Sequence, residues 1–134
     1  MAAGQRVAGT ALYVKFNTVV LTGDHTSFSW DNAGDNVDLT AADDTFHYYA
    51  PMRANSTFTL ETYYNAGTET VWDAVVPNAI GSLEVGPIGT AAGKPKYTCT
   101  RVLISGRPIT IPFDGGVSYT VSMQASAAVS ESTY

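Results

Sequence analysis

From Val117 to Ser126 the chain alternates without a break, with Val117, Tyr119, Val121, Met123 and Ala125 separated by Ser118, Thr120, Ser122, Gln124 and Ser126. Side chains of a strand point to opposite faces with a period of two residues, so this segment reads as a β-strand with one apolar and one uncharged polar face. The apolar face has to be buried, which commits the chain to a layered β architecture. The Ser/Thr/Gln face is cheap to solvate and equally able to line a channel or meet a neighbouring subunit.

The 134 residues fit a single domain, 1–134, large enough to bury a proper core. Charged residues make up only 14% of the chain, against roughly a quarter in ordinary soluble domains. A surface so neutral fits a subunit covered by copies of itself, and fits a Thr- and Ser-rich secreted β domain equally well. With 12 acids against 7 bases the net charge is −5, so the electrostatic footprint of a nucleic-acid binder is missing and phosphate should be repelled. No apolar run is long enough for a spanning helix, so no membrane role is expected. The first residues, Met1 to Arg6, lack the apolar region of a secretion signal, which leads to the expectation of a chain made in a cytoplasm. Cys99 is the only cysteine, set between Thr98 and Thr100 in a strand pattern, and reads as a small buried hydrophobe.

Along the chain, Thr10 to Phe16 and Val19 to Thr22 are β-prone runs hinged at Asn17-Thr18, a hairpin. His25 to Asp31 follows as a strand with Phe28 and Trp30 on one face. Asp31-Asn32-Ala33-Gly34 then carries turn chemistry, which predicts a return strand over Asp35 to Thr40. Ser56 to Tyr64 puts Phe58, Leu60 and Thr62 on one face, Ile80 to Val85 is a short strand, and Gly86 to Gly93 is a glycine-rich turn. In Tyr97 to Ser105, Thr98, Thr100, Val102 and Ile104 share one face and Tyr97, Cys99, Arg101 and Leu103 the other. Arg107 to Phe113, with two prolines, reads as an edge segment, and the small polar residues 127–134 as a flexible tail.

Between the strands, Ala41 to Asn55 has no clean period and holds Asp43, Asp44, Phe46, His47, Tyr48, Tyr49, Met52 and Arg53. Disordered segments are poor in aromatics, so this stretch is expected to be a loop or extended arm whose apolar groups are buried against something outside its own strand pair. Tyr and Met are side chains that interfaces favour. A loop folded back over its own core is the plain alternative.

Thr68 to Val76 changes period. Val71, Trp72, Val75 and Val76 fall on one face of a short helix with Thr68 as N-cap and Glu69 in the first turn, and Pro77 stops it. So short a helix is unstable alone, so these four side chains are expected to pack on the sheet.

Chemistry motifs fail one after another. Gly89 to Lys94 is one residue short of a phosphate-binding loop, has Pro95 where Ser or Thr is needed, and leads into a strand. Asp31, Asp35 and Asp38 lack the spacing and terminal glutamate of a calcium loop, and read as turn-forming residues. His25 and His47 are far apart in sequence, and no zinc, cofactor or nucleophile-elbow pattern is present. No cofactor and no catalytic residue is expected. Asn55-Ser56-Thr57 matches a glycosylation sequon, expected to stay unmodified in a cytoplasm.

The order of short N-terminal strands, long arm, strand, short helix, glycine-rich turn and two C-terminal strands resembles the major tail tube protein of long-tailed, non-contractile bacteriophages. The stretches that carry the resemblance are Val37-Asp38-Leu39-Thr40 before the arm, Gly93-Lys94-Pro95-Lys96-Tyr97-Thr98 running into a strand, and Val117 to Ser126 with the small-residue ending Ala127-Ala128-Val129. It spans roughly Gly9 to Ser130; the arm, with Ala54-Asn55 in place of a glycine cluster, and the proline-rich Gly106 to Phe113 depart from it.

The resemblance implies a mainly β fold, a β-sandwich or partial barrel of antiparallel strands with one short helix. It also implies a structural virion protein whose six-membered rings stack into a hollow tube, the conduit for DNA ejection. Its partners would be further copies of itself and other tail proteins such as tape measure, tail terminator and tail tip, with DNA passing unbound through the lumen. The arm residues Asp43, Asp44, Phe46, His47, Tyr48, Tyr49, Met52 and Arg53 would then form the inter-subunit contact. Two other classes stay open. A ligand-binding β-sandwich could use Tyr48, Tyr49, Tyr63 and Tyr64 as stacking platforms, and a small hydrolase could use Asp43, Asp44 or Glu61. A head decoration protein is the structural alternative.

Overall fold

The computed structural model describes residues 9–65, 67 and 70–134. Nine strands, β1 (Tyr13–Phe16), β2 (Val19–Val20), β3 (His25–Asp38), β4 (Tyr49–Tyr63), β5 (Ile80–Gly86), β6 (Pro95–Gly106), β7 (Ile109–Thr110), β8 (Ser118–Ala125) and β9 (Val129–Thr133), and one helix, α1 (Thr70–Ala74), follow a turn of 3-10 helix at Gly9–Ala11. The strands form one antiparallel sheet in the order β2-β1-β5-β6-β8-β4-β3; β7 adds to β8, and β9 pairs with the first half of β6. The sheet does not close, so the chain is mainly β with a sandwich-like core between its curled halves.

The alternation in β8 sets the core. Tyr119, Val121 and Met123 of β8 are buried and the residues between them are half-buried. Pairing of β8 with β4 sets Val121 opposite Leu60 and Met123 opposite Phe58. Val14, Phe16, Leu21, Val75, Leu83, Val85, Cys99, Val102 and Ile104 complete the apolar interior, each large, fully buried side chain contributing roughly 1.5–3 kcal/mol.

The Asn17-Thr18 hinge is the expected two-residue hairpin, with both residues at positive φ, 46° and 80°. Gly89 and Gly93, at φ 94° and 84°, make the glycine-rich segment a turn, as read. Cys99 is buried, its thiol 3.3 Å from the Arg101 carbonyl oxygen and 3.4 Å from that of Ala127.

Four readings need correction. Asp31 to Gly34 is not a turn. β3 runs straight through it to Asp38, paired with β4 throughout, and half of the arm, Tyr49 to Asn55, belongs to β4. Cys99 and Val102 both face the core, because one extra residue on β6 opposite Gly81–Leu83 forms a β-bulge that reverses the side-chain order. The expected flexible tail is β9, held to β6 from Pro95↔Thr133 to Cys99↔Val129. In the helical segment Val75 is fully buried and Val71 and Trp72 pack against the core, whereas Val76 is 45% exposed and takes no part. Thr68 and Glu69 lie outside the described residues.

Candidate assembly surface

β3 and β4 are 14 and 15 residues long, far longer than the core needs. β8 covers β4 only from Thr57 onward, so Asp31–Asp38 and Tyr49–Asn55 leave the sheet as a two-stranded ribbon. At about 3.3 Å per residue the eight positions from Asp31 to Asp38 reach roughly 25 Å. Along this ribbon β3 is exposed at every position, and β4 is exposed at every described position except half-buried Ala50. An isolated two-stranded hairpin is marginal in water, and this ribbon leaves both of its faces open to solvent. Pro51, which cannot donate to a ladder, is tolerated because β4 has no second neighbour there.

The root is fastened by polar side chains. Ser56 donates to Asn32 Oδ1 at 3.1 Å. The Gln124 amide donates to Asn55 Oδ1 and, at 3.2 Å, to the Ser56 carbonyl oxygen. Farther out, Asp35 faces two residues of β4, Met52 and Arg53, a β-bulge that twists the ribbon. The side chain of Met52 lies outside the described part of the chain.

The tip is closed by its own hydrogen bonds. Leu39 N donates to the Tyr48 carbonyl oxygen at 2.7 Å and Tyr48 N to Thr40 Oγ1 at 2.9 Å. The Asp44 carboxylate accepts from Ala41 N at 2.8 Å. Asp38 accepts from the hydroxyl and the backbone N–H of Thr40 and sits 3.5 Å from His47 Nδ1. These bonds, the Thr40 hydroxyl above all, hold the Asp38 carboxyl below its ordinary range. Phe46, at 85% exposed, and Tyr48 face solvent, Tyr49 is exposed with its ring 6.0 Å from that of His47, and Asp43 and Arg53 are exposed with no polar partner among the described residues. Val37 and Leu39, which the expected inter-subunit contact did not include, are exposed as well.

A second feature lies at the root. Trp30, Arg53, Tyr97, Ala128, Val129 and Glu131 help to line a groove of about 850 Å3 between the β3–β4 pair and β9. The Trp30 and Tyr97 rings meet across it at 5.1 Å. The Trp30 indole N–H is buried with no hydrogen-bond partner among the described residues, a state that costs about 1–3 kcal/mol if nothing accepts from it. A third patch, Ile109, Ile111 and Phe113, is exposed in the proline-rich segment.

The residues of the other two readings do not gather at one place. Tyr49 and Tyr63 sit at opposite ends of one 15-residue strand, roughly 45 Å apart at strand rise, and Tyr64 is engaged edge-on with Trp72 and Tyr119. They cannot form one platform. Glu61 accepts from Ser27 Oγ at 2.9 Å near the far end of β4, well away from Asp43 and Asp44. Among the described residues no three His, Cys, Asp or Glu side chains gather as metal ligands.

No protein-family model and no curated protein sequence matches the chain. Solved structures do match. The chain is similar to the tail of an empty GTA particle computed with C6 symmetry, at 12% identity over 96% of this chain and 100% of that one, TM-score 0.73. It is similar to the SPP1 tail tube, at 11% identity over 96% of this chain and 80% of that one, TM-score 0.74. A sheath-tube complex of an extracellular contractile injection system, PVC, matches at 10% identity over 98% and 95%, TM-score 0.72. At such identities the likeness is one of fold, shared with these tail and tube structures.

Proposed function

We propose that this chain is a tail tube protein, a structural virion subunit without enzymatic activity. It polymerises as stacked six-membered rings into the hollow tube of a phage tail, the conduit for DNA ejection. The observation that carries this reading is the near full-length likeness to tube structures, joined here to a ribbon bare on both faces, an element that a solitary domain would not keep.

The mechanism is assembly followed by passive conduction. An arm on one side of a subunit and a different receiving surface on the next give a heterologous contact, which closes into a ring when the rotation closes and continues as a filament when it does not. A tube needs both kinds. With a net charge of −5 the assembled wall repels phosphate, and because phosphate contacts dominate nucleic-acid affinity, DNA would slide with little drag. Tape measure, terminator and tip proteins would meet the lumen and the two ends of the tube, and the site of action is the virion.

Negative-stain microscopy of the purified chain tests the reading. Tubes or six-fold rings are expected. A monodisperse monomer at every concentration that binds a saccharide would favour a ligand-binding module instead.

A further inference from the structure

The ribbon is one half of a heterologous contact, and the other half must be a different surface of the same chain. We propose that the groove at the ribbon root is the receptor for the ribbon tip of a second copy of this chain. It would take the Phe46 ring against Trp30 and Tyr97 and the Asp43 carboxylate against Arg53. This rests on the tube reading above.

Three observations lead there. The groove is polar where the tip is complementary. It presents one exposed cation without a polar partner among the described residues, the Arg53 guanidinium, beside the Trp30 ring, whose own indole N–H is buried away from the opening. The tip presents Asp43, a carboxylate without a partner, while Asp44 and Asp38 are already engaged with Ala41 and Thr40. The groove also carries Glu131 on its β9 wall, which directs an incoming carboxylate to the Arg53 side. Its apolar lining, the Trp30 and Tyr97 rings with Ala127, Ala128 and Val129, suits an aromatic side chain that is 85% exposed in its own subunit. Finally, the tip lies roughly 25 Å along the paired ribbon from the root, out of reach of its own groove, so a tip that fills the groove comes from another copy.

Cysteine cross-linking of assembled tubes tests this, and the background is clean because the native Cys99 is buried. Thr45→Cys places a thiol at the tip and keeps Phe46, and Ala128→Cys places one in the groove. Mild oxidation of tubes of the double variant should give a ladder of covalent multimers beyond the dimer. Each single variant, and Thr45→Cys paired with Ala91→Cys on the distant glycine-rich turn, should give none. Thr45→Cys with Ala54→Cys on the opposite wall reads the same contact should the first pair fail to assemble. Tubes that form but yield no ladder from either groove pair overturn the receptor and leave the tube reading standing. A parent chain that forms neither rings nor tubes overturns the tube reading and the receptor with it.

Discussion

The guanidinium carbon of Arg107 lies 3.7 Å from the centre of the Trp72 ring, and the same side chain donates to the Trp72 carbonyl oxygen. One residue thus covers the open face of the indole and pins the short helix α1 to the sheet, where Trp72 meets Tyr119 edge-on at 4.9 Å. A five-residue helix has no stability of its own, so its position depends on this clamp and on Val75 beneath it.

Arg107→Ala should therefore cost about 1–2 kcal/mol, combining a lost cation–π contact and a lost charge-assisted hydrogen bond. Arg107→Lys should recover only part, because an ammonium cannot lie flat on the ring. Urea unfolding gives the stabilities, and iodide quenching of Trp72 should rise in the Ala variant. Unchanged quenching would mean that the indole is shielded by something other than Arg107.

Thr18 is a β-branched residue at φ 80° in the β1–β2 turn, a conformation that costs an L-residue roughly 1–2 kcal/mol. Asn-Gly is the pair such turns prefer. Thr18→Gly should stabilise the fold by about 0.5–1 kcal/mol, the gain being cut by the greater freedom of glycine in the unfolded chain. A lower midpoint in urea would show that the Thr18 side chain makes a contact worth more than the strain.

The end of the chain carries its own lock. Tyr134 donates to Glu84 at 3.1 Å, Lys96 pairs with Glu84 at 3.1 Å and lies over the Tyr134 ring, and the Tyr134 carbonyl oxygen accepts from Gly93 N. Burial, then the negative charge of Glu84, push the Tyr134 phenol up to about 12 from an ordinary 10. A group whose pKa is raised on folding contributes stability that is fully present below its unfolded pKa and lost as pH rises through the folded one. Stability should fall between about pH 10 and 12 as the phenolate is forced against Glu84. Tyr134→Phe should flatten that fall, leaving the part due to Tyr119, whose phenol is also raised, chiefly by burial. Identical pH profiles for parent and variant, followed by circular dichroism, would show that β9 holds without the lock.

What could be read in advance follows from where the stabilising contacts lie. β8 and the inner half of β4 were legible because each has one buried face, and burial writes a period of two into the sequence. The outer half of the ribbon was not. With neither face on the core its strands carry no alternation, and Asp31-Asn32-Ala33-Gly34 reads as turn chemistry although the backbone simply continues. β9 escaped because its pairing with β6 is a matter of main-chain hydrogen bonds, to which Ser130, Glu131 and Ser132 contribute no pattern. Of the candidate surface, the exposed aromatics at the tip were visible as composition. The groove was not, because Trp30, Tyr97 and Ala128 are brought together only by the order of the strands.

The ribbon itself yields the prediction that separates assembly from all monomeric readings. Phe46, Tyr48 and Tyr49 touch no part of the buried core, so replacing all three by alanine should leave the melting temperature of the unassembled chain nearly unchanged. Interfaces concentrate their energy in a few aromatic anchors, each worth on the order of 2 kcal/mol or more. A ring repeats the loss at every contact. The triple variant should be folded by circular dichroism yet form neither rings nor tubes where the parent does. Loss of folding would mean that the tip supports its own domain, against the exposure of these side chains, and tubes that still assemble would transfer the contact from the ribbon to another surface, with the Ile109, Ile111 and Phe113 patch the next to truncate.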